Sequence, residues 1–236
     1  MTSTRKNARV AGFLYLLIAI IAPLRLLYIP NTLFVHGDAT ATANNIAAHE
    51  SLFRIGIVGD LLVGTIVLFL VLALYRLFKA VDQNLAVLVV ILGGLMPAAI
   101  YFLNTLNDAA ALMLVRGGDF LSVFDRTQLD ALAMLFLRLH DHGVVANEAF
   151  WGLWLFPFGI LVFRSGFLPR FLGVWLIING VAYLMLSLTG VLLPRYEVML
   201  SRIALPALLG EIAIILWLVI MGAREQAVNS SEEHSS

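Results

Sequence analysis

Six long apolar stretches constrain this chain more than any other feature. An α-helix rises about 1.5 Å per residue, so about 20 apolar residues cross a hydrocarbon core about 30 Å thick. Inside that core every backbone amide and carbonyl must find its partner within the segment. The stretches run from Val10 to Ile29, Ile55 to Leu74, Leu85 to Asp108, Val144 to Phe163, Phe171 to Leu193 and Ile203 to Met221. No segment alternates in polarity as the strands of an outer-membrane barrel do. The expected fold class is therefore all-α, a polytopic integral membrane helical bundle with six transmembrane helices. It forms a single domain over 1–222, followed by a polar, disordered cytoplasmic tail at 223–236. With 61% hydrophobic and 13% charged residues, the chain falls well outside the range of water-soluble domains, which carry roughly 25% charge.

Arg5, Lys6 and Arg9 ahead of the first stretch resemble the start of a secretory signal peptide. That stretch ends in Pro23-Leu24-Arg25-Leu26 with no small-residue cleavage motif, so an uncleaved first helix is expected. Six spans place both termini on one side. Arg5, Lys6, Arg9, Arg76, Lys79, Arg164, Arg170 and Arg224 fall on that side, against Arg54, Arg116, Arg126, Arg195 and Arg202 on the other. The positive-inside bias then favours cytoplasmic termini.

Two segments outside the spans bear on the site. Leu129–Leu139 is apolar apart from Asp130 and Arg138 but covers only about half the core. It is expected to form a short interfacial or partly inserted helix before the fourth span, with a break near Gly143. The longest outer loop, from Pro30 to Phe53, contains a short helix N-capped by Asp38 or Thr40. That helix is either a lid over the mouth of the bundle or a solvated connector.

Charges inside the spans are costly, at about 2.5–3.5 kcal/mol each on insertion scales, and so tend to meet partners and mark function. Measured from the outer end of each span, Arg25 lies about 7 Å deep, Asp60 and Glu148 about 9 Å, Asp108 about 12 Å and Glu211 about 13 Å. The inner halves carry no charge, a distribution that fits an outward-facing polar cavity with a dry floor rather than a channel. Arg25, the one cation within a well-defined span, should pair with Asp60 or Asp108. Asn104, Asn107, Asn147, Asn179 and Tyr183 can extend the network. Buried charges of this kind also serve as plain interhelical glue.

His140-Asp141-His142 is the one histidine cluster, and His36 and His49 in the outer loop are weaker candidates. Residues two apart on a regular helix face different sides, so His140 and His142 can share a metal only where the helix unwinds. With nearby carboxylates they would then form a zinc-like site. The alternatives are histidines hydrogen-bonded within the polar cluster or solvated at the interface, and nothing in the spacing requires a cofactor. The two lysines, Lys6 and Lys79, lie outside the spans, and there is no cysteine. Intramembrane Schiff-base and thiol chemistry are thereby excluded. Phosphate-binding glycine loops, nucleophile elbows and HExxH motifs are absent. Zero net charge argues against a nucleic-acid partner. Phe150, Trp151, Trp154, Phe156 and Phe158 on the fourth span are expected to face lipid or pack. Pro23, Pro97, Pro157 and Pro206 are expected to kink their helices.

Several motifs carry a resemblance: Arg9-Val10-Ala11-Gly12-Phe13-Leu14-Tyr15-Leu16, Gly37 to Ile46, Leu52-Phe53-Arg54, Asp60-Leu61 and Leu139-His140-Asp141-His142-Gly143. Phe150 to Leu155, Ser165 to Gly173, Gly180-Val181-Ala182-Tyr183, Gly210-Glu211 and Leu216-Trp217-Leu218 continue it over nearly the whole chain. They resemble a bacterial multi-span membrane family termed domain of unknown function 4386. The resemblance implies a six-span inner-membrane protein and brings no activity with it. Asp60, His140 and Glu211 fall within its motifs.

The expected site is thus Arg25, Asp60, Asn104, Asp108, His140, His142, Glu148 and Glu211, holding a small amphipathic molecule or lipid headgroup within the lipid bilayer. The competing readings are a transporter, an intramembrane metal-dependent hydrolase using His140 and His142, and a structural or accessory protein.

Overall fold

The computed structural model describes residues 3–223, and their regular structure is helical. Six helical stretches are long and apolar enough to cross a membrane: Thr4–Leu33, Glu50–Phe78, Gln83–Arg116, Arg126–Arg164, Arg170–Leu192 and Pro194–Ile220. They contain the six stretches read from sequence to within a residue at each end. The tail expected at 223–236 lies, apart from Ala223, outside the described residues.

Two spans change helix type part-way. The first comprises α1 (Ser3–Pro23), a π turn over Leu24–Tyr28 and α2 (Ile29–Leu33). The third comprises α5 (Gln83–Val90), having passed α3 (Ala39–Ala48) and α4 (Glu50–Phe78), then a π turn over Ile91–Leu95 and α6 (Met96–Arg116). Each turn adjoins a proline, Pro23 or Pro97. Proline has no N–H to bond the carbonyl four residues back, and near these prolines the pairing widens to five residues, as in the bond from Ile29 N–H to Leu24 O. At the other two prolines the helix type is unchanged: α7 (Arg126–Arg164) and α9 (Glu197–Ile220) run through Pro157 and Pro206.

Consecutive spans pack as neighbours, α1 on α4, α4 on α6, α6 on α7, α7 on α8 (Arg170–Leu192) and α8 on α9, and α9 closes back onto α1. The result is a ring of six helices. Glycines set its closest seam: a Cβ added at Gly159 would stand 2.6 Å from the Gly173 carbonyl, and one at Gly152 2.7 Å from that of Gly180. Small residues at seven-residue spacing on both helices let the two backbones approach.

Two apolar cores occupy opposite ends of the ring. At the terminal end Tyr15, Leu74, Phe78, Phe158, Leu172, Ile214 and Leu218 pack together. At the other end Ile29, Leu33, Ala43, Ile46, Phe53, Leu112, Leu129, Ala133 and Leu137 form a second core. That second core corrects the reading of Leu129–Leu139. The segment is no separate helix, and there is no break at Gly143: α7 is continuous over 39 residues, about 58 Å at 1.5 Å per residue. Leu129, Ala133 and Leu137 recur every fourth position, so one face of this extension is buried against α3 and α6. Gly143 serves close packing instead, because the side chain of Asn104 fills the space a Cβ would take. Asp38 caps α3, its carboxylate accepting the Ala41 N–H at 2.8 Å. With Ala43 and Ile46 buried, α3 lies against α6 and α7.

Candidate functional site

The intramembrane charges form two separate groups. The first sits where the two cores meet. Arg25, carried inward by the π turn, donates from Nε to Asp60 Oδ2 at 3.2 Å and from Nη2 to both oxygens of Asp108 at 3.0 Å. His140 on α7 places Nδ1 3.2 Å from Asp108 Oδ1 and Nε2 3.9 Å from Asp60 Oδ2. The Asn104 amide donates to the His140 carbonyl at 3.3 Å. Four spans are thus tied at one level. All four charged or titratable residues are buried, and a doubly protonated His140 would bring the cluster's formal charge to zero. The guanidinium satisfies one carboxylate twice and another once, a fork geometry that lysine lacks.

Asp60, Asp108 and His140 could each offer one ligand atom to a metal, all within 4.8 Å of one another. Arg25 already engages both carboxylates, so an ion would have to displace it. The two histidines that could share a metal only on an unwound segment are split. On the regular helix His140 is buried and His142 is exposed, and the two imidazoles face different sides.

The second group surrounds Glu211. Tyr15 in the first span donates its hydroxyl to Glu211 Oε1, Asn179 donates its amide to Oε2 at 3.3 Å, and the Tyr183 side chain is a third hydrogen-bond partner. Among the described residues no Lys, Arg or His lies within ion-pair distance of Glu211. Its carboxylate forms part of the wall of a cavity of about 380 Å³, to which all six spans contribute. Tyr15, Tyr101, Trp151, Trp154 and Tyr183 supply aromatic rings, and Val63, Val67, Leu70, Leu208 and Ile215 are among the aliphatic lining. Gly93, within the second π turn, leaves the space that Trp154 fills. The lining residues most open to the surroundings lie on two elements: Leu27 on the first span is 61% exposed and Ile212 on α9 is 50% exposed. These helices are closed together at the other end, where Gly12 abuts Leu218 and Val219. The exposed part of the lining thus lies on the first and last spans.

The expected cluster of eight is accordingly divided. Arg25, Asp60, Asp108, His140 and Asn104 meet, and none of them lines the cavity. Glu211 lines the cavity apart from them. Glu148 is half-buried and joins neither group, and His142, His36 and His49 are exposed. Sequence reasoning assigned Trp151 and Trp154 to lipid contact or packing, and it passed over Tyr15 and Tyr101. Part of the signal was present in spacing: Trp151 and Trp154 are three apart and so share a helix face.

A family model described as "Domain of unknown function (DUF4386)" matches residues 10–222. The chain belongs to this family. A DUF4386 relative in sequence is a protein of Archaeoglobus fulgidus (strain ATCC 49558) described as uncharacterized. It is 24% identical over 179 residues, covering 74% of this chain and 88% of its own length. No solved structure matches. In this DUF4386 protein the chemistry on offer is therefore what its own side chains supply: a closed ionic cluster, and an apolar cavity with one carboxylate and an aromatic wall.

Proposed function

We propose that the protein is a membrane-embedded binding or sensory module, and that a small amphipathic molecule occupies the ring cavity. The observation that carries this is the cavity itself, of about 380 Å³, walled by every span and containing one carboxylate among aromatic and aliphatic side chains. Small-molecule sites are concave and mostly apolar, with few convergent polar groups, and range over roughly 300–1,000 Å³. The exposed lining at Leu27 and Ile212 supports entry from the bilayer through the side of the ring. The Arg25 cluster acts as a closure: it fixes the register of four helices above the cavity and joins them to the α3–α7 cap. Placement in a bacterial cytoplasmic membrane with both termini inside belongs to the same proposal and is supported by the distribution of Lys and Arg.

A transporter is the second reading, favoured by the two proline-flanked π turns, since interrupted helices commonly border the sites of transporters. Both turns lie on spans that line the cavity. The hydrolase reading has the Asp60–Asp108–His140 triad in its favour, but that triad is bonded to Arg25 and removed from the cavity.

Photolabelling tests the proposal. A diazirine-bearing alkyl amphiphile, activated on the protein in membranes, should attach to peptides carrying Tyr15, Trp151 and Ile215. Labelling confined to peptides with outward-facing Leu103 and Leu106 would overturn it.

A further inference from the structure

We infer that the cavity selects a hydrophobic monocation, an amphiphile with an alkylated ammonium head. This rests on the binding reading above and adds the charge of the occupant.

Three features point there. Glu211 is the single carboxylate of the lining, and no Lys, Arg or His lines the cavity. Asp60 and Asp108 show the alternative solution, a built-in guanidinium. A carboxylate in apolar surroundings without such a partner is either held neutral or matched by a positive guest, and the donors gathered on Glu211 favour the charged form that such a guest pairs with. The wall suits that guest. Trp151 meets Tyr101 at 6.4 Å and Tyr183 at 5.8 Å between ring centroids, while Tyr15 meets Trp154 at 5.8 Å. Aromatic faces attract cations, and cages of this composition recognise quaternary ammonium groups. Two of these rings are anchored by their own hydroxyls to Glu211, which sets ring and carboxylate around the same space. Finally, the Tyr15 hydroxyl and the Asn179 amide are already committed to Glu211. A head group needing no hydrogen bonds fits best. A zwitterionic phospholipid head fits poorly, because its phosphate would find no cation here.

The test uses the full-length protein in nanodiscs and follows tryptophan fluorescence, to which Trp151 and Trp154 contribute from the cavity wall. Benzyltrimethylammonium is titrated against its uncharged carbon isostere, neopentylbenzene, and against dihexanoylphosphocholine. The ammonium should bind at least about tenfold more tightly than the isostere, Glu211→Gln should remove most of that difference, and the phosphocholine should not compete. Equal binding of ammonium and isostere would overturn the cationic preference while leaving the cavity a binding site. Competition by the phosphocholine would overturn it in favour of a lipid head. Binding by none of the three would remove both this inference and the binding reading. The charged–neutral comparison needs only wild-type protein, so it decides even where Glu211→Gln fails to fold.

Discussion

The hydroxyl of Tyr15, in the first span, donates a hydrogen bond to Glu211 in the sixth, 196 positions along the chain. That contact joins the two ends of the ring at the cavity wall, and it shows why the intramembrane charges had to be divided. Arg25 pairs with two carboxylates. A third, Glu211, is held by neutral donors and faces open space.

Removing Arg25 should be more damaging than a surface change of equal size. Arg25→Ala leaves Asp60 and Asp108 buried without their cation, a loss of about 3–5 kcal/mol by analogy with other broken buried pairs. Arg25→Lys should recover only part of it, since one ammonium cannot reproduce the forked contacts to both partners. Thermal unfolding in nanodiscs measures this. An Arg25→Ala protein as stable as wild type would show that the cluster is not what ties these helices.

The same variant should uncover a metal site. With the guanidinium gone, Asp60, Asp108 and His140 retain ligand atoms within 4.8 Å of one another. Added Zn²⁺ should then raise the Tm of Arg25→Ala by mass action and leave wild type unmoved. A zinc-dependent rise in wild type would instead favour the hydrolase reading.

Close packing between α7 and α8 predicts a position-specific penalty. Gly159→Ala and Gly173→Ala each press a methyl group onto a facing carbonyl, at 2.6 and 2.5 Å, and should cost about 1–3 kcal/mol of overpacking. Gly59→Ala, whose nearest neighbour would be a side-chain atom of Ile21 at 3.6 Å, is the control and should be near neutral. Equal stability of all three variants would rule out the glycine seam.

Much of the fold was legible because hydrophobic length is a strong signal and proline and aspartate act locally, as at Pro23, Pro97 and Asp38. The first part of α7 was misread because its length, about half a span, was judged alone. Leu129, Ala133 and Leu137 are apolar for a tertiary reason, the core they share with α3, which no local pattern announces. Leu137→Ala should accordingly cost about 2–5 kcal/mol, whereas Leu135→Ala, on the 52%-exposed position beside it, should cost little.

The site was legible in its members but not in its grouping. Depth counted along each helix placed Arg25, Asp60, Asp108 and Glu211 at similar levels, yet Glu211 meets Tyr15, about 15 Å further along the first span than Arg25, and rotation about the helix axis also decides which side chains face one another. On α9 that rotation turns Glu211 toward Tyr15 and Asn179. The cavity wall escaped notice because Tyr15, Tyr101, Trp151 and Trp154 have the same composition whether they pack, face lipid or line a space.

The chain contains no cysteine, so single-cysteine variants report cleanly on the proposed side entry. Ile212→Cys, beside Glu211 and at the exposed lining, should react with a membrane-permeant maleimide and be protected by benzyltrimethylammonium. Leu106→Cys, 67% exposed on α6 and outside the cavity lining, should react without protection. Protection at both sites, or at neither, would argue against an entrance between the first and last spans.

The most direct measurement of an occupied ring cavity is native mass spectrometry of the protein released from mild detergent, compared with Ala22→Phe, which fills the lining from the first span. Wild type should carry a small amphipathic adduct that the filled variant lacks. Identical spectra for the two proteins, bare or equally loaded, would contradict a binding role for the cavity.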